Sequence, residues 1–239
     1  MAGRAMLSPV SSSFPRPGPI PEAFPLEPGR IERWEPASAR LDPWTVLRLA
    51  RYRRRAEVAP AIWEMARGMA ARAATLVEPV AALAPVRVHV AGASGAVLAG
   101  GPAFSGRAVG RLLADCPLAV AFALTLGPRL EAEVTELADR RQLLESYLLD
   151  TAGWAAIEHA VRALRLELRS RLGPAGWRPT HRLAPGYGDW PLTEQPALLG
   201  VFADHPLPVR LSEHGVLLPF KSITGLFGLR PGVAGGVDG

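Results

Sequence analysis

The spacing of apolar residues changes period several times along the chain, and each change marks an element. Val46, Leu47, Leu49 and Ala50 lie on one side of a helical pattern, with Arg48 and Arg51 on another. Asp42-Pro43 reads as an N-cap followed by proline at the first helical position, so the pattern predicts a helix from Trp44 to about Arg55. A second helix is predicted from Pro60 to Leu83, where Ile62, Met65, Ala66, Met69, Ala73, Leu76 and Val80 recur at helical spacing. Val86, Val88 and Val90 then alternate with Arg87 and His89, which is a strand pattern. Gly92 to Gly95 is a turn, and Ala96 to Leu98 is the returning strand. Phe104 to Leu113 reads as a short helix and Pro117 to Leu126 as a buried strand, and Gly127-Pro128 opens a helix from Arg129 to Arg140. Gln142 to Leu172 carries the strongest helical pattern, with Leu144, Leu148, Ile157, Val161, Leu164 and Leu168 on one face and Gly173-Pro174 as the stop. A short helix over Gln195 to Phe202 follows. A hairpin over Val209 to Leu218 turns at His214-Gly215, and a last helical turn is expected over Ser222 to Leu229, with Ser222 as its cap.

Helices and strand pairs mix without βαβ regularity and without an internal repeat. The expected class is α+β, a twisted antiparallel sheet with flanking helices. Residues 1–41 are rich in Pro, Ser and Gly; Pro15, Pro17, Pro19, Pro21 and Pro25 disfavour helix. They are expected to form a loose arm docked by Ile31 and Trp34. Residues 42–230 are expected to form the domain, and the Gly-rich 231–239 a disordered tail.

The chain has 239 residues, 49% of them hydrophobic, enough for a sizeable core. Its formal charge is +5, which raises the question of an acidic partner or nucleic acid. Lys221 is the only lysine in a basic set that is otherwise all arginine, and Ala, Pro and Gly are abundant. Coding bias accounts for that pattern, and no aromatic-interleaved basic platform is present, so no nucleic-acid partner is expected. Cys116 is the only cysteine, which excludes an internal disulfide and suits a reducing cytosol. The N-terminus lacks a long apolar core of the signal-peptide kind, and the run Pro117 to Leu126 is too short for a span. The expectation is a cytoplasmic chain with no membrane contact.

The stretch from His181 to Trp190 carries the most chemistry. Arg182 precedes Gly186-Tyr187 by four residues in a run that cannot be helical. An arginine can fork two hydrogen bonds onto a carboxylate. Gly186 lets backbone approach a ligand without a Cβ in the way, and Tyr187 can stack on a base or face a cation. An amino-acid-bearing nucleoside with a positive sulfonium would use all three. An ordinary turn with a packed tyrosine fits the same spacing.

The segment His181 to Trp190, continued by Pro191-Leu192-Thr193-Glu194-Gln195, resembles the Arg-to-Gly-Tyr region of the reactivation domain of cobalamin-dependent methionine synthase. Leu211-Ser212-Glu213 and Pro219-Phe220-Lys221-Ser222-Ile223-Thr224-Gly225 are similar to that domain's Leu-Thr-Glu and Pro-x-x-Ser-Val-Ser-Gly segments, in the same order. Ala123 to Gly127 and the helix bearing Asp150, Trp154 and Glu158 resemble free-standing members. The likeness spans about residues 42–229, with its specific part in 181–225.

The resemblance implies a domain that binds S-adenosylmethionine and supports reductive remethylation of cob(II)alamin held by a partner. Carried over, Arg182 would pair with the ligand carboxylate, Ala184 and Gly186 would give backbone contacts, and Tyr187 would wall the adenosine. Phe227 would be an aromatic contact, Glu158 would meet the ligand's positive end, and Asp42 would stand as an early aspartate. The partners implied are a corrinoid-binding methyltransferase subunit, with a split methionine synthase first, and flavodoxin or another electron donor. An O-demethylase partner or a non-catalytic module of the same fold are the alternatives. Gly188-Asp189-Trp190-Pro191 departs from the methionine synthase pattern, a Tyr-Phe pair is reduced to Phe227-Gly228, and no corrinoid-binding Asp-x-His-x-x-Gly is present. Such transfer asks for positioning rather than a general base or a metal on this chain, and no catalytic side chain is expected.

Other reactive residues have plainer readings. Cys116 is expected in the core, and adjacent Glu158 and His159 point different ways on a helix. Glu213-His214 sits at a hairpin turn. Arg51, Arg53, Arg54 and Arg55 read as a solvated helix end or a partner-facing run, and Asp189 and Glu194 as acceptors for loop donors.

Overall fold

The computed structural model describes residues 24–36 and 41–232. The rest of the expected arm (1–23 and 37–40) and the tail from residue 233 lie outside the described residues. The fold centres on strand β5 (Leu118–Thr125), which is buried at every position. Its Leu118, Val120, Phe122 and Leu124 belong to one core and its Ala119, Ala121 and Ala123 to another. Alternation along a strand puts those two sets on opposite faces of the sheet. The bulky face is covered by α1 (Pro43–Leu49), α2 (Pro60–Leu76), α4 (Arg129–Asp139) and the thirty-residue α5 (Leu143–Leu172). The alanine face admits α3 (Arg107–Leu113), α6 (Gln195–Gly200) and the buried Trp190 and Phe202.

The sheet is antiparallel throughout. Its order is β4 (Ala103–Ser105), β3 (Gly95–Leu98), β2 (Val80–Gly92), β5, β9 (Ser222–Pro231), β6 (Trp177–Leu183). β1 (Glu32–Trp34) adds to the first half of β2, Glu32 opposite Leu83 and Trp34 opposite Ala81. The last part of the expected loose arm therefore belongs to the sheet. Arg171 Nη1 reaches Glu32 at 2.8 Å, and Phe24 meets Trp177 edge-on at 4.9 Å. A separate small hairpin joins β7 (Arg210–Leu211) to β8 (Leu217–Leu218), with the turn where the sequence placed it.

The α+β class, the capped first helix, the Val86–Val90 strand, the buried central strand and the long helix all appear as expected. Several boundaries do not. α1 stops at Leu49, since Ala50 closes it and Arg51 takes φ 74°. α2 stops at Leu76, and 80–83 are strand; Pro79 disfavours helix at Glu78, and pairing with β1 and β5 overrides the helix propensity of the alanines. Phe104 belongs to strand β4, and Gly106 at φ 106° separates it from α3. The largest correction is the last element. Ser222 to Pro231 is a strand between β5 and β6, not a helical turn, and Ser222 caps nothing: its hydroxyl donates to Pro219 O at 2.5 Å and lies 2.8 Å from Thr125 Oγ1.

Candidate functional site

Arg182 lies near the end of the edge strand β6, directly opposite Phe227 of β9. The β6–β9 register slips between Pro179 and Arg182. Thr180 holds the slip: its hydroxyl accepts from Gly228 N at 3.0 Å and donates to His181 O at 2.7 Å, while Arg165 Nε donates to Thr180 O at 3.0 Å. The bulge re-aims the strand, as bulges at sheet edges do. Arg182 is thus a strand residue rather than a loop residue, and the turn begins at Ala184.

Two groups meet the guanidinium, and a third residue lies opposite it across the strands. Nη2 donates to Glu158 Oε1 on α5 at 2.5 Å. The Tyr187 ring lies 5.8 Å from Cζ. Phe227 is fully buried and stacks on Phe122 at 5.1 Å. Phe227, paired with Arg182 across the strands, packs into the core and does not line open surface. Nη1 is buried and has no hydrogen-bond acceptor, so only part of the arginine fork is used. Such an orphan donor marks a place where an acceptor would bind well.

The turn is tight and firmly anchored. Gly186, at φ 89°, donates its N–H to Trp190 O at 2.8 Å, and Tyr187 N donates to Ala184 O at 3.1 Å. These two N–H groups are committed, and the Ala184 side chain is buried. The open main chain expected at Ala184 and Gly186 is therefore largely engaged. Tyr187 is not packed: it is 54% exposed. Asp189 accepts from Arg107 N and Ala108 N, both at 2.8 Å, at the start of α3. Those two N–H groups, Ala108 first, hold its carboxyl below the ordinary aspartate value. Glu194 accepts from Ser105 N, Ser105 Oγ at 2.5 Å and buried Trp190 Nε1 at 2.9 Å. Of the loop donors expected from the sequence only the Trp190 indole is among these: Asp189 binds the start of α3, and Glu194 also binds the end of β4.

A second cluster sits on α5, where Asp150, Trp154 and Glu158 share one face at four-residue intervals. Trp154 is 46% exposed. Lys221, 2% exposed, places Nζ 2.7 Å from Asp150 Oδ1 and 4.3 Å from the Trp154 ring. The sequence signalled this cluster only faintly, through one lysine among arginines and through the helix spacing. Asp42 takes no part in either cluster. Its carboxylate accepts from Trp44 N, Thr45 N and Thr45 Oγ1, which is the work of a helix cap.

The remaining candidates lie elsewhere. Cys116 is buried, and burial pushes its thiol up to about 12. His159 is exposed, and His214 stands 3.5 Å from Glu213 on an exposed hairpin. In the basic run, Arg54 pairs with Glu57 at 3.0 Å and Arg55 lies over Trp63 at 4.3 Å. Arg182 lines none of the concavities of about 550, 400 and 380 Å³. Its side chain, 20% exposed, lies between Glu158 of α5 and Tyr187 of the 184–190 turn. Among the described residues, no helix is long and apolar enough to cross a membrane.

An antiparallel sheet with a long helix over one face, and an edge-strand arginine between that helix and an anchored Gly-Tyr turn, places the chain in a recognisable structural class. It is similar to the MetH reactivation domain solved bound to AdoHcy, with a TM-score of 0.60, 13% identity, 87% of this chain covered and 81% of that one. The shared feature at that identity is the fold. The sequence matches no protein-family model and no curated protein.

Proposed function

We propose that the region around Arg182, between α5 and the 184–190 turn, binds S-adenosylmethionine, and that the protein supports reductive remethylation of cob(II)alamin on a partner corrinoid methyltransferase, a split methionine synthase in the first instance. The observation that carries this reading is the half-used guanidinium of Arg182. Nη1 is buried without an acceptor, Nη2 rests on Glu158, and half-exposed Tyr187 stands beside them. A ligand carboxylate completes the fork, its amino or sulfonium charge faces Glu158, and its nucleoside lies against Tyr187. The fold shared with a domain that carries AdoHcy supports the same ligand class.

The methyl group would come from the ligand, which leaves as S-adenosylhomocysteine, the cobalt acceptor from the partner, and the one electron that reduces cob(II)alamin to the nucleophilic cob(I) state from flavodoxin or another donor. This chain's part is to fix the sulfonium against the protein and leave its methyl side open to an incoming macrocycle, so that positioning carries the rate. The exposure of Tyr187 and Trp154 leaves that side accessible. A non-catalytic module of the same fold is the second reading. The burial of Phe227 favours it, since the aromatic expected at the ligand is inside the core.

Calorimetry with S-adenosylmethionine on the wild type and Arg182→Ala tests binding. No heat with the wild type removes the proposal. Mixing the protein with a cob(II)alamin-loaded methionine synthase lacking its own reactivation domain, a reductant and S-adenosylmethionine tests transfer. Binding without formation of methylcobalamin in the corrinoid spectrum selects the second reading.

A further inference from the structure

Lys221 is the chain's only lysine beside many arginines, and it is the most buried Lys or Arg among the described residues. A lysine is almost never fully buried unless it is paired, because removing an ammonium from water costs several kcal/mol. Lys221 is met by the Asp150 carboxylate at 2.7 Å, by the Trp154 ring at 4.3 Å and by the Phe220 ring at 5.2 Å. Nζ has no acceptor in hydrogen-bonding alignment, so the charge is balanced by ion pairing and by the two π faces. Room for the stem comes from Gly153: a Cβ there would stand 2.9 Å from Lys221 Cε and 2.9 Å from Leu130 Cδ2. The main chain on both sides is fixed, with Phe220 N on Glu131 Oε2 at 2.9 Å and Leu126 N on Lys221 O at 3.0 Å. The notch is shaped for a narrow alkyl ammonium, and a planar guanidinium is wider.

We propose that Lys221 is a positioning residue for the ligand site: its buried ammonium clamps Asp150 and the Trp154 indole on the α5 face that presents Glu158 to Arg182. Asp150, Trp154 and Glu158 lie on one helix face over about 12 Å at 1.5 Å per residue. An ion pair stands at each end, Lys221–Asp150 and Arg182–Glu158, with the half-exposed indole between them. The clamp holds that indole against the Lys221 ammonium, one helical turn from Glu158 on the same face. This inference rests on the S-adenosylmethionine reading above.

The test uses the full chain with selectively ¹⁵N-labelled lysine, which yields a single side-chain signal because the chain holds a single lysine. The Nζ resonance is followed with and without S-adenosylmethionine, alongside calorimetric titration of Lys221→Met, Lys221→Arg, Asp150→Asn and Trp154→Phe. The expected result is a ligand-dependent shift of the Nζ signal and roughly tenfold weaker binding in Lys221→Met. Lys221→Arg does not restore binding, because the notch excludes its head. A lysine that only stabilises the fold keeps its resonance on ligand addition. Should Lys221→Met fail to fold, the half-exposed Asp150→Asn and Trp154→Phe decide the matter. Wild-type affinity in both, with an unmoved Nζ signal, overturns the proposal while the ligand reading stands. Absence of binding by the wild type removes the ligand reading itself, and the clamp's role with it.

Discussion

Glu158 and Arg182 neutralise each other across the junction of α5 and β6, Oε1 to Nη2 at 2.5 Å, with the arginine side chain largely buried and the glutamate half exposed. In the proposed binding mode the ligand carboxylate would take the unused Nη1 beside this pair, and its positive end would face Glu158. Arg182→Ala is expected to weaken S-adenosylhomocysteine binding by at least about tenfold. It should leave 5′-methylthioadenosine, which lacks the amino-acid end, almost unaffected. Titrating both ligands against both proteins checks this, and equal losses for the two would place the arginine away from the amino-acid end.

The turn that carries Tyr187 is pinned by one exposed carboxylate. Asp189 accepts two N–H groups at the start of α3, and they hold its pKa below the ordinary 3.8. A carboxyl lowered in the folded state contributes stability above its unfolded value and loses it as pH falls through the folded one. The pin is therefore complete at neutral pH and releases only below about pH 3.8. Amide shifts of Arg107 and Ala108 should titrate together in that acid window, and Asp189→Ala should remove the titration while leaving the global fold intact. Titration of those amides near pH 6 would point to a different acceptor.

Cys116 offers a reporter on the alanine face of the sheet, beside α3. Burial pushes its thiol up to about 12, and Sγ donates to Leu112 O at 3.3 Å. At pH 8 almost no thiolate exists in the folded chain, so a thiol reagent should label it only on unfolding. Above the ordinary value of 9.0 the unfolded chain sheds a proton that the folded chain keeps, so stability should decline between about pH 9 and 12. Rapid stoichiometric labelling of native protein at pH 8 would contradict the burial.

The class of fold was legible because the strongest signals were periodic: the alternation at Val86–Val90, the all-apolar Leu118–Thr125 and the long repeat through α5. What misled was alanine and glycine. Ala81, Ala82 and Ala84 prolong a helical pattern, yet they pair with β1 and β5, where small side chains let other elements approach. Gly225 and Gly228 obscure the alternation of β9, so an interior strand of the sheet looked like a last helical turn, and the stacking of Phe227 on Phe122 was not foreseen. The residues of the site were legible as types, Arg182, Tyr187 and Glu158 above all. Their mutual arrangement was not, because the ion pair joins residues 24 apart through a bulge at Thr180 that no local pattern announces. Lys221 was visible only as a compositional oddity, since its burial depends on Gly153 of a distant helix.

Two glycines give opposite answers to the same substitution, and the difference tests the packing around Arg182. Gly68 lies on the exposed side of α2 with nothing within 4 Å of a built Cβ. Gly68→Ala gains helix propensity and should stabilise the protein by about 0.5–1 kcal/mol. Gly225 sits on β9, where a Cβ would stand 2.6 Å from Leu183 O and 2.9 Å from Phe122 Cε1. The first of those atoms is backbone of the strand that ends just after Arg182, and it cannot swing aside as a side chain can. Gly225→Ala should cost about 1–3 kcal/mol by overpacking. The relief available is displacement of the end of β6, so ligand affinity should fall with stability. Urea unfolding of the two variants, paired with S-adenosylmethionine titration, separates the effects. If Gly225→Ala proves as benign as Gly68→Ala, then β6 does not press on β9 at Leu183, and the seat assigned to Arg182 is wrong.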